Sequence, residues 1–264
     1  MVVLIDENSA SASEILSAAL QDNQRAVIIG KKSYGKGTVQ QIFDLSNEDK
    51  VKFTVARFYS PLGNVINKQG VKPDIEVGDD EARLAAELLL YDPPAGYKGK
   101  LLKLDTENFQ ATIDPVRARS AGFWKAWRSI IKGAAGNKFY AGTDNTAWTE
   151  ISQEERESLW PLFYPDYKTN GPIVTVKPDS ELKISLADDV NPRYINFSTV
   201  ELIKADSGQR VKAGFTVVNK KDIAVKPAAK LTPGEYWLVL HDTIRFSSGQ
   251  NIGQGIVAKY DVSK

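Results

Sequence analysis

The sequence predicts two fold types in one chain: an α/β beginning and an all-β, antiparallel sandwich at the end. A strand-helix-strand pattern over residues 1–30 has roughly the minimum length for a parallel crossover. From Gly171 onward, short alternating apolar runs sit between turn clusters. The 264 residues are 42% apolar, 25% charged and 9% aromatic, which excludes disorder as a whole-chain description and suits one large or two small domains.

Val2-Val3-Leu4-Ile5 reads as a buried strand and Asp6 to Ser9 as a polar turn. Ser11 to Leu20 reads as a helix whose apolar stripe is Ile15, Leu16, Ala19 and Leu20. Ala26 to Ile29 is a second buried strand ending at Gly30. Val39 to Leu45 and Val51 to Tyr59 form two strands joined across residues 46–49, and Ser60-Pro61-Leu62-Gly63 is a turn. Residues 79–91 form a helix, with Asp79, Asp80 and Glu81 where the dipole favours them. From about 95 to 170 a helix is expected over Val116 to Ile131 and another from Ser152 to Trp160. The closing strands include Ile173 to Val176, Leu182 to Leu186, Val200 to Lys204, Phe215 to Val218, Ile223 to Val225 and Tyr236 to Leu240. The domains expected are 1–92, a mixed connecting region 93–170, and a β-domain over 171–264.

With 34 Lys plus Arg against 33 Asp plus Glu the net charge is +1, so no general field attracts nucleic acid or an anionic membrane. No run of about 18 apolar residues offers a membrane span. The first residues lack the basic n-region and cleavage site of a signal peptide. A buried strand lying this close to Met1 reads as part of a larger layer, which makes the chain a fragment of something longer and leaves an edge prone to dimerisation. The absence of Cys removes disulfides, Cys-ligated zinc and a thiol nucleophile. His241, the sole histidine, has no serine-rich corner or acid partner at motif spacing and reads as structural. Phe123, Trp124 and Trp127 read as packing residues.

Ser9, Ser11 and Ser13 recur at period two where the first strand turns into the helix. A hydroxyl at such a corner stands above the sheet beside helix-start N–H groups, the geometry an acyl-transfer nucleophile needs. The same Ser11-Ala12-Ser13-Glu14 also fits a capping box. Residues 30–38, Gly-Lys-Lys-Ser-Tyr-Gly-Lys-Gly-Thr, approach a phosphate-binding loop but place Gly37 where Ser or Thr should hold magnesium, and a strand follows instead of a helix. Lys36 is either a solvated loop lysine or, if burial keeps it neutral, a base for an exposed serine. Gly35 and Gly37 would let the backbone approach the nucleophile, and Gln40 could orient the amine or be an ordinary strand residue.

These residues, together with Arg57-Phe58-Tyr59-Ser60-Pro61-Leu62-Gly63 and Gly70-Val71-Lys72-Pro73-Asp74-Ile75, closely resemble the C-terminal processing peptidases, or tail-specific proteases, over residues 2–77. The resemblance implies a partial crotonase-like or ClpP-like core, nucleophile Ser11, general base Lys36 at the family's separation of 25 residues, supporting Gln40, and the Ala12 N–H as one oxyanion donor. It implies a serine endopeptidase with a polypeptide substrate, no cofactor or metal, and an extracytoplasmic location in the periplasm or at the cell surface. The family's substrate-gating PDZ domain and its Gly-Gly turn with a second oxyanion donor are not in these residues. Loss of one such donor costs about 2.7–4 kcal/mol of transition-state stabilisation. Asn191 to Thr199 and Leu231-Thr232-Pro233-Gly234-Glu235-Tyr236 resemble bacterial Ig-like domains, implying a cell-surface or protein partner. The alternative is a catalytically incomplete binding module acting through that domain.

Overall fold

The computed structural model describes residues 1–143 and 147–263, which fall into two compact units. Unit 1 comprises Met1–Tyr97, Leu101–Ala118 and Ala126–Ile151; unit 2 comprises Lys98–Lys100, Arg119–Lys125 and the chain from Ser152 onward.

Unit 1 begins with strand β1 (Val2–Ile5), helix α1 (Ala12–Asp22) and strand β2 (Val27–Gly30). A hairpin of β3 (Thr38–Asp44) and β4 (Lys50–Arg57) follows, then β5 (Ile75–Glu76) and α2 (Asp79–Leu89). The apolar runs of β1 and β2 pair in parallel with Val2 opposite Val27, and β5 adds in parallel on the other side of β2. Being central, β2 is buried throughout, whereas β1 lies at the sheet edge and leaves Leu4 exposed. Ile5, Ala18, Ala26, Ile28, Ile66 and Val71 form one core. Gly30 closes β2 with φ +125°, and a Cβ there would stand 2.0 Å from the Ile5 carbonyl oxygen, so only glycine fits.

Only part of the stripe expected on α1 faces the core: Leu20 packs against it and Ala19 is half-buried. Glu14, Ser17 and Ala18 are buried, while Ile15 and Leu16 are exposed. The donors that gather around Glu14, described below, set this rotation. The hairpin forms near its expected bounds, but Ile42, Phe43, Phe53 and Val55 all remain exposed.

The rest of unit 1 contains a sheet the apolar pattern did not reveal: β6 (Leu101–Asp105), β7 (Gln110–Ile113), β8 (Lys138–Gly142) and β9 (Thr149–Glu150), antiparallel in the order β7-β6-β8-β9. The helix expected over Val116 to Ile131 is instead α3 (Pro115–Ala118) and α4 (Trp124–Gly133). Gly122 lies in the break, where its conformational freedom disfavours a continuous helix. Trp127, fully buried, meets Phe139 edge to face.

Unit 2 contains α5 (Gln153–Glu157) and a 3-10 turn at Trp160–Leu162 where one helix was expected; Leu159, at φ 61°, breaks it. Eight strands follow: β10 (Lys168–Thr169), β11 (Val174–Val176), β12 (Leu182–Ser185), β13 (Val200–Lys204), β14 (Ala213–Val218), β15 (Asp222–Pro227), β16 (Gly234–Leu240) and β17 (Ile256–Val262). One sheet runs β10-β17-β16-β13 with β11 also on β17, and the other runs β12-β15-β14. Alternate residues of both, such as Leu182, Val225, Leu202, Leu238 and Ala258, share a single core. The arrangement is not purely antiparallel, because β10 and β11 both pair in parallel with β17. Behind β16, Trp237 packs with Trp124 and Phe163, and the Trp124 indole N–H donates to the Ala205 carbonyl at 3.1 Å.

His241 is held in this unit, with Nδ1 2.6 Å from the Tyr167 hydroxyl and Nε2 3.4 Å from Glu201, whose carboxylate also meets Arg210 at 2.6 Å. Burial disfavours the phenolate and raises Tyr167 to about 12; it pushes Tyr164 further in the same direction. Among the described residues, no helix is long and apolar enough to cross a membrane. Because both hydroxyls titrate higher in the folded protein than the ordinary tyrosine value of about 10, their stabilisation is complete below pH 10 and is lost as pH rises toward 12. Denaturant melts of unit 2 fluorescence across pH 8–12 should therefore show stability falling above pH 10, and Tyr167→Phe should flatten that fall.

Candidate active site

The candidate site lies in unit 1, where β1 gives way to α1. The turn between them is tied by Asp6, whose Oδ1 accepts the Asn8 N–H at 3.0 Å, the Ser9 N–H at 2.9 Å and the Ser9 hydroxyl at 2.9 Å. The Ser9 hydroxyl, with these amides, holds the Asp6 carboxyl below the usual carboxylate range. Ser9 is thereby committed to the turn, and Ser13 lies exposed inside the first turn of α1.

Ser11 differs from both. It occupies the N-cap of α1 at φ 59°, ψ −116°, a region that a residue with a Cβ rarely enters. Such strain costs on the order of 1–3 kcal/mol and persists only where surrounding bonds over-determine it. A strained serine at a sharp strand-to-helix turn is the local backbone setting that a nucleophile elbow also uses. Ala12 is the first residue of α1, so its N–H has no intrahelical acceptor.

The bonds that hold Ser11 converge on Glu14, which has no exposed surface. Its Oε2 accepts the Ser11 N–H at 2.9 Å, as a capping box requires, and also the Lys36 N–H at 2.8 Å. Its Oε1 accepts the Gly35 N–H at 2.6 Å and the Ser33 hydroxyl at 2.5 Å. Two further backbone bonds, Tyr34 N–H to the Ser9 carbonyl at 2.9 Å and Lys31 N–H to the Ile5 carbonyl at 3.0 Å, run the 31–36 loop along the turn. The capping box expected at Ser11-Ala12-Ser13-Glu14 accounts for the bond to the Ser11 N–H, whereas the bonds of Glu14 to Ser33, Gly35 and Lys36 were not foreseen. The available signal was the position of Glu14 one turn before Ala18, on the face α1 buries.

The loop is held on its other side by Phe58, Lys68 and Val71. Ser33 N–H donates to the Val71 carbonyl at 3.1 Å, Lys68 N–H to the Gly35 carbonyl at 2.7 Å and Phe58 N–H to the Gly37 carbonyl at 2.8 Å. The glycines around Lys36 serve this approach rather than an approach to Ser11: a Cβ on Gly37 would stand 2.3 Å from the Asn67 nitrogen, and Gly35 has φ +90°. Gln40 lies on β3 where the register with β4 shifts: Val39 pairs with Ala56 and Gln40 with Thr54, which leaves Val55 as the extra residue on β4.

The backbones of Ser11 and Lys36 are thus brought onto one carboxylate oxygen. Their side chains are not joined: the Lys36 and Gln40 side chains are exposed, and among the described residues no hydrogen bond connects either to the Ser11 hydroxyl. The described residues do not supply the burial expected of a lysine base. Nor do they contain a group of three or more His, Asp or Glu able to hold a metal ion.

Residues 1–77 match the model of peptidase family S41. Within that class, the segment is similar to the C-terminal processing peptidases. It is 49% identical over 74 residues to the carboxyl-terminal-processing protease of Synechocystis sp., covering 28% of this chain and 17% of that protein. The chloroplastic C-terminal processing peptidase of Tetradesmus obliquus is 47% identical over 77 residues, again 17% of its length and 29% of this chain. A solved photosystem II D1 C-terminal processing protease shares 43% identity over 34% of this chain and 22% of that one, with a TM-score of 0.29. The chain therefore spans about a fifth or less of these relatives.

If Ser11 is strained as its dihedral angles indicate, Ser11→Gly should unfold at a higher temperature than Ser11→Ala. Both lose the hydroxyl and only glycine relieves the positive φ, a difference of about 1 kcal/mol. Paired thermal melts read it directly.

Proposed function

We propose that the first part of the chain supplies the nucleophile and base of a serine endopeptidase of C-terminal processing type. The observation that carries this reading is the strained backbone of Ser11 at the strand-to-helix turn, held on the same carboxylate oxygen as the Lys36 amide. Ser11 Oγ attacks the peptide carbonyl while the Lys36 amine takes its proton, and the Ala12 N–H faces the developing oxyanion. Collapse of the tetrahedral intermediate breaks the C–N bond. Lys36 returns the proton to the leaving amine, and water then hydrolyses the acyl-enzyme by the same route. Gln40 orients the Lys36 amine, and the bound polypeptide removes water from it. No cofactor takes part.

The same reading takes residues 1–92 as peptidase-domain sequence, 93–170 as a connecting region and 171–264 as a bacterial Ig-like domain with a cell-surface or protein partner, in an extracytoplasmic setting. Two sheets closing on one core support the assignment of the last segment. Ser11→Ala and Lys36→Ala should each lower hydrolysis of an unfolded polypeptide by at least about 10⁴-fold. Circular dichroism should remain unchanged. Full activity in a folded Lys36→Ala variant would overturn the dyad.

A further inference from the structure

The geometry points to Glu14 as a positioning residue that sets the Ser11 turn against the Lys36 loop, an inference that rests on the proposed serine-lysine chemistry. The Glu14 carboxylate bonds to the backbones of Ser11 and Lys36, and it is through them that it acts. Each of its oxygens accepts two donors, and all four donors come from the turn and the loop. Three are backbone amides, whose positions fix where the Ser11 and Lys36 side chains start.

A carboxylate suits this position for a definite reason. It is acceptor-only and has lone pairs for four bonds, whereas a glutamine of the same length presents an NH₂ on one side. Glu14→Gln therefore turns the NH₂ toward two N–H or O–H donors. Whichever oxygen it replaces, either the shared anchor of Ser11 and Lys36 or the pair Ser33 and Gly35 is repelled. Aspartate keeps the charge on a shorter stem and retains part of the set.

Ser33 extends the arrangement outward. Its hydroxyl donates to Glu14 Oε1 and accepts the Val71 N–H at 2.6 Å, and Ser33 is itself buried. The segment around Val71 is in this way connected through one hydroxyl and one carboxylate to the backbones of both proposed dyad residues. A displacement of about 1 Å between reacting groups can lower a rate about 100-fold, so small shifts at Val71 would be felt at the site.

The test reads nucleophilicity at Ser11 separately from folding, using the whole chain and an alkyl fluorophosphonate. In that reaction Ser11 Oγ forms the O–P bond, fluoride leaves from phosphorus and the hydroxyl proton goes to the base. The second-order labelling rate, with the modified residue located by peptide mapping, is compared in wild type, Glu14→Gln, Glu14→Asp and Ser33→Ala at a temperature where thermal melts show each to be folded. Glu14→Gln should label about 100-fold more slowly, with Glu14→Asp recovering part of the loss. Ser33→Ala, which removes one donor and keeps the fold if Glu14→Gln does not, should label about tenfold more slowly. Exchange of the Ser11, Gly35 and Lys36 amides should accelerate in both Glu14→Gln and Ser33→Ala. Wild-type labelling at Ser11 with unchanged rates in the folded variants would overturn the positioning role alone. Failure of the wild-type chain to label at Ser11 would overturn the serine-nucleophile reading and this inference with it.

Discussion

A carboxylate withdrawn from water must receive its hydrogen bonds from the protein, and unit 1 meets this demand at Glu14 with four donors. The requirement works in both directions. The 31–36 loop has a fixed place because its amides need an acceptor, and α1 has a fixed rotation because its carboxylate needs donors. Ile15 and Leu16 face outward as a consequence, although an apolar stripe alone would have turned them in. The strained Ser11 backbone is another consequence, since the amide that Glu14 accepts is that of the residue carrying the positive φ.

The parallel sheet and the glycines supply the frame for this arrangement. Gly30 lets β2 close against the Ile5 carbonyl, which starts the loop beside the Ser11 turn. Gly35 and Gly37 let the loop lie against residues 66–70 without a side chain between them. Asp22 anchors the neighbouring turn by accepting the Ser60 hydroxyl and the Leu62 N–H, and Asp74 accepts the Ile28 N–H at 2.7 Å. Short polar ties of this kind hold a region whose apolar core comprises few residues.

Much of this was legible in the residues themselves. Four apolar residues before a polar turn gave β1, acidic residues before a leucine-rich run gave α2, and alternation gave most of the strands of unit 2. The strand-turn-helix corner and the glycine-flanked lysine were also readable, and the family resemblance singled out Ser11 from Ser9 and Ser13. Tertiary partnership was not. The inward turn of Glu14 depends on amides some twenty residues away, which no local period records. The parallel pairing of β10 and β11 with β17 escaped because strand pairing is a tertiary property: β11 was readable as a strand, but neither its partner nor its direction is recorded in local alternation. The break between α3 and α4 rests on a single glycine-containing stretch inside an otherwise helical composition.

The setting of His241 has a practical consequence. It is the chain's sole imidazole, placed between a tyrosine hydroxyl and a carboxylate that an arginine also holds. Its ring protons consequently give a proton magnetic resonance signal that needs no assignment by mutation. The chemical shift of that signal reports whether the core of unit 2 is formed, so unit 2 carries its own spectroscopic marker, independent of any chemistry at Ser11.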